Sequence, residues 1–125
     1  MFRVTITKSF SAAHVLKEIG GKCEELHGHN FRVEVSVSSK KLNDEGILID
    51  FRLLKGWTAE ILEDLDHKYL NDLPQFKGVN PSSEIVAKHI FDRLSGKAKS
   101  LKIKVDEVVV WESDNARVAY SGAKT

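Results

Sequence analysis

His27-Gly28-His29 sets two imidazoles two residues apart, and His14 lies 13 residues before the first of them. On a strand, residues two apart face the same side, so His27 and His29 can approach one ion together. Gly28 between them lets backbone or substrate come close. Three neutral nitrogen donors suit Zn2+ and leave a fourth position open, the pattern of a catalytic rather than a structural site. A structural site needs a fourth protein ligand, for which Cys23 is the soft candidate. The competing reading is a polar loop beside an ordinary surface histidine, and spacing alone leaves both open.

Other side chains add to this chemistry. Cys23 stands four residues before His27 among Lys22, Glu24 and Glu25, charged company that argues against a core position. A thiol beside a metal and a histidine ionises readily and moves protons. Asp66-His67 follows a helical pattern. One reading is a histidine favoured by the helix dipole, the other a carboxylate orienting a proton-shuttling imidazole. Glu112 ends the apolar run Val108-Val109-Val110-Trp111. It either faces water or serves a ligand with two adjacent N–H donors, such as a 2-amino-4-oxo pteridine. His89 reads as structural or solvent-facing.

The elements that must position these groups follow from periodicity. Phe2, Val4 and Ile6 alternate with polar residues as far as Phe10, and Phe31, Val33, Val35 and Val37 alternate more clearly, so both segments are predicted strands. His14 falls just past the first strand and His27 at the mouth of the second, so pairing of the two would unite the histidines. Ile47-Leu48-Ile49 is a candidate short strand. Leu54, Trp57, Ile61, Leu62 and Leu65 predict a helix from Phe51 to about Asp66. Residues 73–81, which hold both prolines, read as a loop. A second helix starts near Pro81-Ser82-Ser83-Glu84 with Asn80 or Ser82 as cap, and Gly96 is its expected terminator. Leu101, Ile103 and Val105, then Val108 to Trp111, a turn at Ser113-Asp114-Asn115 and Val118 to Tyr120 make a closing hairpin. The expected architecture is α+β, ββααββ in order, an antiparallel sheet with two helices on one face. Sheet edges in so small a chain invite oligomerisation.

Composition narrows the function classes. The 125 residues suit one domain, 1–125, and 42% hydrophobic with 30% charged residues suits a soluble globular one. Nineteen basic against 18 acidic residues leave a formal charge of +1, which gives no reason to expect nucleic acid or an anionic membrane as partner. No apolar run nears the roughly 20 residues of a membrane span, and the alternating N-terminus reads as mature structure rather than a signal peptide. A single cysteine makes no intrachain disulfide and fits a reducing, cytoplasmic setting.

Phe10-Ser11-Ala12-Ala13-His14, Cys23-Glu24-Glu25-Leu26-His27-Gly28-His29-Asn30, Gly46 to Phe51, Leu65-Asp66-His67-Lys68-Tyr69-Leu70-Asn71, Asn80 to Glu84, and Glu112 with Tyr120 occur in an order that spans nearly the whole chain. This ordered set resembles the 6-pyruvoyltetrahydropterin and 6-carboxytetrahydropterin synthase family. The resemblance implies a tunnelling fold, in which ββααββ protomers close into trimeric barrels that stack as hexamers with active sites at subunit interfaces. It implies zinc on His14, His27 and His29, and Cys23 as the proton-transfer residue. Asp66 with His67 would be the partner pair, supplied by a neighbouring subunit. Glu112 would anchor the pterin ring with help from Glu84 and Ser83, where the family often has threonine. The implied substrate is 7,8-dihydroneopterin triphosphate, with Lys8, Arg32 and Lys68 as candidates for its phosphates. The Cys-x3-His-Gly-His spacing resembles the branch that makes 6-carboxy-5,6,7,8-tetrahydropterin for 7-deazaguanine synthesis. Glu24 makes Glu-x2-His-Gly-His as well, which resembles a subgroup that releases 6-hydroxymethyl-7,8-dihydropterin for folate-type cofactors. Pyruvoyl formation ranks third, and a non-catalytic zinc or pterin module is the reading from another class.

Overall fold

In the computed structural model, which describes residues 1–18, 21 and 25–122, two long strands, β1 (Phe2–His14) and β2 (His27–Ser39), form an antiparallel pair. Helix α1 (Phe51–Glu63), the two-residue strand β3 (Lys68–Tyr69), helix α2 (Ser83–Ala98) and the hairpin of β4 (Lys104–Ser113) and β5 (Ala116–Tyr120) follow. The sheet order is β3-β1-β2-β4-β5. The two-strand, two-helix, two-strand order is as expected, but the sheet is mixed rather than antiparallel throughout, because β3 runs parallel to β1.

Alternation decides which face is covered. Ile6, Phe10 and Ala12 of β1 and Phe31, Val33, Val35 and Val37 of β2 are buried in one cluster with Leu54, Ile61 and Leu62 of α1 and Val86, Ile90 and Leu94 of α2. Both helices therefore pack on the same face of the sheet. The opposite face is polar, carrying Thr5 bonded to Ser36 and Arg3 paired with Glu107. Asp50 caps α1 by accepting from the Arg52 N–H, and Ser82 caps α2 by accepting from the Ile85 N–H.

Local details differ from the sequence expectations for physical reasons. Strand β1 continues past Phe10 to His14, because a long β2 offers pairing partners as far as His27. Ile47-Leu48-Ile49 is not a strand: the Asn43 side chain accepts from the Glu45 and Ile47 N–H groups, folding the segment into a local turn that still buries Ile49. Helix α1 ends at Glu63 rather than Asp66. The chain then turns through His67 at φ 58°, and the His67 N–H donates to the Ser11 carbonyl on the edge of β1 away from β2. Gly96 does not stop α2, since Leu94 and Ala98 on either side of it are both buried and packing outweighs propensity. The stop comes later, at a 3-10 turn over Lys99–Leu101 followed by Lys102 at φ 57°, so β4 begins at Lys104 rather than Leu101. Among the described residues, no helix is long and apolar enough to cross a membrane.

Candidate active site

The β1–β2 register sets His14 directly opposite His27 and Ala12 opposite His29. His14 thus shares the core-facing side with Phe10 and Ala12, and His27 and His29 share it with Phe31. Ring centroids lie 4.5 Å apart for His14 and His27, 5.4 Å for His14 and His29, and 4.8 Å for His27 and His29. One nitrogen from each ring lies within 4.8 Å of the others. Donors at bond lengths of 2.0–2.1 Å around tetrahedral Zn2+ sit roughly 3.3 Å apart, so small ring rotations would close the site.

Hydrogen bonding fixes which nitrogen is offered. His14 Nδ1 donates to the Pro81 carbonyl at 2.7 Å, and His27 Nδ1 to the Glu25 carbonyl at 2.8 Å. A proton held on Nδ1 leaves Nε2 with its lone pair. The Nε2 atoms of His14 and His29 are buried without a hydrogen-bond partner. Burial, first of all, holds the pKa of both imidazoles below the ordinary histidine value. Neutral rings with convergent, unsatisfied nitrogens are what a divalent metal requires, so the residues present fit the ion.

Glu112 reaches the same place. In the β4–β5 pairing Trp111 faces Arg117 and Ser113 faces Ala116, so Glu112 is the extra residue of a bulge. Its Oε1 lies 3.6 Å from His29 Nε2 and 3.7 Å from His14 Nε2, and accepts from Ser83 Oγ at 3.1 Å. Ser83, Glu84 and Glu112 line one pocket of about 140 Å³ between the start of α2 and the β4–β5 hairpin. Glu84 is exposed.

His67 stands on the other side of β1. Its side chain is 82% exposed, and its Nδ1 lies 3.0 Å from Asp66 Oδ2. Asp66 Oδ1 accepts from the Ser11 N–H at 2.9 Å, and this bond foremost holds the carboxyl below its usual range. His67 and Lys68 line a cleft of about 510 Å³ together with His29 and Gly28. Of the remaining phosphate candidates, Arg32 lies over the Trp111 ring on the open face of the sheet, and Lys8 is half-buried. Cys23 and Glu24 lie outside the described residues.

Sequence reasoning missed the backbone acceptors at Pro81 and Glu25, which only a folded chain brings beneath the rings. It also gave no role to Asn71, and weighed Asn80 only as a helix cap. Asn80 instead binds the backbone of Lys17.

Fold and site together define an α+β domain with a cluster of three histidines that could hold a metal ion, at the open end of its two longest strands. A profile of the family described as 6-pyruvoyl tetrahydropterin synthase matches residues 3–123. A 6-pyruvoyl tetrahydrobiopterin synthase of Dictyostelium discoideum is 35% identical, with 95% of each chain covered. A 6-carboxy-5,6,7,8-tetrahydropterin synthase of Synechocystis sp. is 42% identical over 69% of each chain. The solved structure of Caenorhabditis elegans 6-pyruvoyl tetrahydropterin synthase superposes with a TM-score of 0.86 at 27% identity, covering 98% of this chain and 96% of that one. The chain belongs to the 6-pyruvoyl tetrahydropterin synthase family, whose protomers have the tunnelling fold.

Proposed function

We propose that this chain is a zinc-dependent lyase converting 7,8-dihydroneopterin triphosphate to 6-carboxy-5,6,7,8-tetrahydropterin. The observation that carries the reading is the convergence of His14, His27 and His29, with the buried, unpartnered Nε2 atoms of His14 and His29 beside Glu112. His14, His27 and His29 would hold the zinc, which would supply a Lewis acid to polarise a side-chain oxygen of the substrate and acidify the neighbouring C–H bond.

The chain's own groups do the rest. Glu112, steadied by Ser83, accepts the paired N–H donors of the pterin ring, and Glu84 borders the same pocket. Cys23 takes and returns protons at the side chain. His67, oriented through Nδ1 by Asp66, presents its other nitrogen outward, and exposure of 82% suits delivery across a subunit boundary. Residues 1–125 act as one domain. The short edge strands β3 and β5 suit assembly into a trimer or hexamer in the cytoplasm.

The Cys-x3-His-Gly-His spacing supports the carboxypterin branch, and a relative of that name at 42% identity adds weight. Glu24, three residues before His27, favours a second reading, release of 6-hydroxymethyl-7,8-dihydropterin. Incubation of the zinc-loaded protein with 7,8-dihydroneopterin triphosphate, followed by mass analysis, separates them. The expected products are 6-carboxy-5,6,7,8-tetrahydropterin, acetaldehyde and triphosphate, with one water consumed. Detection of 6-hydroxymethyl-7,8-dihydropterin alone would overturn the first reading. Cys23→Ala is expected to abolish the carboxypterin product with zinc still bound, whereas loss of zinc would make Cys23 a ligand.

A further inference from the structure

The edge of β1 that faces away from β2 is satisfied one residue after another by the segment 66–80. The Ser11 N–H donates to Asp66 Oδ1, and the Ser11 carbonyl accepts from the His67 N–H. Ala12 and Ala13 pair with Lys68 and Tyr69 of β3. Beyond the last strand residue, His14, two asparagines take over. Asn71 Oδ1 accepts from the Val15 N–H at 2.9 Å, and its Nδ2 donates to the Val15 carbonyl at 2.9 Å. Asn80 does the same for Lys17, at 2.8 and 2.9 Å.

A side-chain amide carries one donor face and one acceptor face, as a peptide group does. Each asparagine therefore acts as one residue of an additional strand. Their placement ties them to the metal centre. Val15 follows His14 directly, and Asn80 precedes Pro81, whose carbonyl holds His14 Nδ1. His14 is fully buried and ends β1, opposite His27 at the start of β2. A strand end with open N–H and C=O groups takes water and frays. Fraying here would carry the His14 ring with it.

We infer that Asn71 and Asn80 are positioning residues of the metal centre: by pairing with the backbone of Val15 and Lys17 they hold His14 against Pro81 and so fix where its Nε2 points. The inference rests on the reading of His14, His27 and His29 as the metal site. It assigns a chemical consequence to two motif residues that otherwise only close an edge. Partners one step removed from a metal typically change its affinity about 10–100-fold when lost.

The test compares wild type, Asn71→Leu, Asn80→Leu and a control, Ile90→Val, which loosens the buried core on α2 and leaves the bonds along the β1 edge untouched. Zinc affinity is read by competition with a chromophoric chelator, and ligand geometry by the visible absorption of the Co2+-loaded protein. All readings are taken well below each variant's Tm. Asn71→Leu is expected to weaken zinc by about tenfold or more and to alter the Co2+ spectrum. Asn80→Leu, whose bonds are exposed to water, does so by less, and Ile90→Val by nothing. If both asparagine variants lose Tm but bind zinc within about twofold of wild type, the amides only seal the edge and the inference is overturned. If Asn71→Leu does not fold, Asn80→Leu decides. Failure of the wild type itself to bind zinc sinks the metal reading, an outcome distinct from equal binding by all four proteins.

Discussion

Burial lowers the pKa of His14, His29 and His89 alike, but their ring nitrogens face different things. His14 and His29 aim Nε2 at each other's neighbourhood and at Glu112. His89 of α2 packs edge-on against Phe76, 5.4 Å between centroids, with a buried Nε2 that has no partner. The charges around it are mixed: Arg93 opposes protonation, and Asp92 and Asp64 favour it, less strongly than burial disfavours it. A folded-state pKa below the unfolded value of about 6.5 means that the unfolded chain binds the extra proton first. Stability therefore rises with pH from the depressed folded pKa up to about 6.5 and is lost on acidification through that window. His89→Gln removes this one contribution. The metal-free variant is expected to lose less Tm than metal-free wild type between about pH 7 and pH 5, as thermal unfolding at a series of pH values would read. An identical pH slope for both proteins would show that His89 is protonated without cost.

At the scale of elements, the segment Asn80-Pro81-Ser82-Ser83 performs four tasks in four residues. Asn80 pairs with Lys17, the Pro81 carbonyl orients His14, Ser82 caps α2, and Ser83 holds Glu112. The start of α2 is thus the joint between the sheet end that carries the histidines and the bulge that carries Glu112. Ser82→Ala removes only the cap. It should cost about 1 kcal/mol, a Tm loss of about 4 °C by calorimetry, with zinc affinity unchanged. A loss of zinc affinity as large as that in Asn80→Leu would mean that the cap and the clamp are one unit. What could be read from sequence here divides along the range of the interactions. Alternation and the i, i+2 rule place His27 and His29 on one face beside Phe31, because they depend on neighbours in the chain. The cap at Ser82 is local too. The bulge at Glu112, the parallel pairing of β3 and the reach of the asparagine amides depend on which distant strand edge lies alongside. No spacing within LDHKYLN or NPSSE announces that. Gly96 shows the converse, since a local stop signal is overridden by burial of Leu94 and Ala98 on either side of it.

For the whole molecule, the relation between the histidine cluster and the core decides whether the proposed zinc would build the fold or only work on it. The core is one cluster that joins both helices to β1, β2 and β4, and it runs from Val37 and Val105 at one end to Phe10, Phe31 and Ala12 at the other. The histidines lie beyond Phe31, at the end of that cluster, and Phe31 itself meets His14 and His29 edge-on. Stacked Phe10 and Phe31, 4.8 Å apart, close the core beneath the imidazoles without needing an ion. Removal of one ligand should then leave the fold in place. His27→Ala is expected to keep the far-ultraviolet circular dichroism of the wild type and a cooperative thermal transition, and to lose turnover and tight zinc binding. Zinc would still add stability to the wild type by mass action: about 2.7 kcal/mol at a free concentration 100 times its Kd, close to 10 °C in Tm for a chain of this size. Chelation should lower the wild-type Tm by that amount and no further, and should leave the Tm of His27→Ala nearly unmoved. Unfolding of His27→Ala, or of wild type on chelation at room temperature, would instead assign zinc a structural role and would remove the open coordination position on which the lyase reading depends.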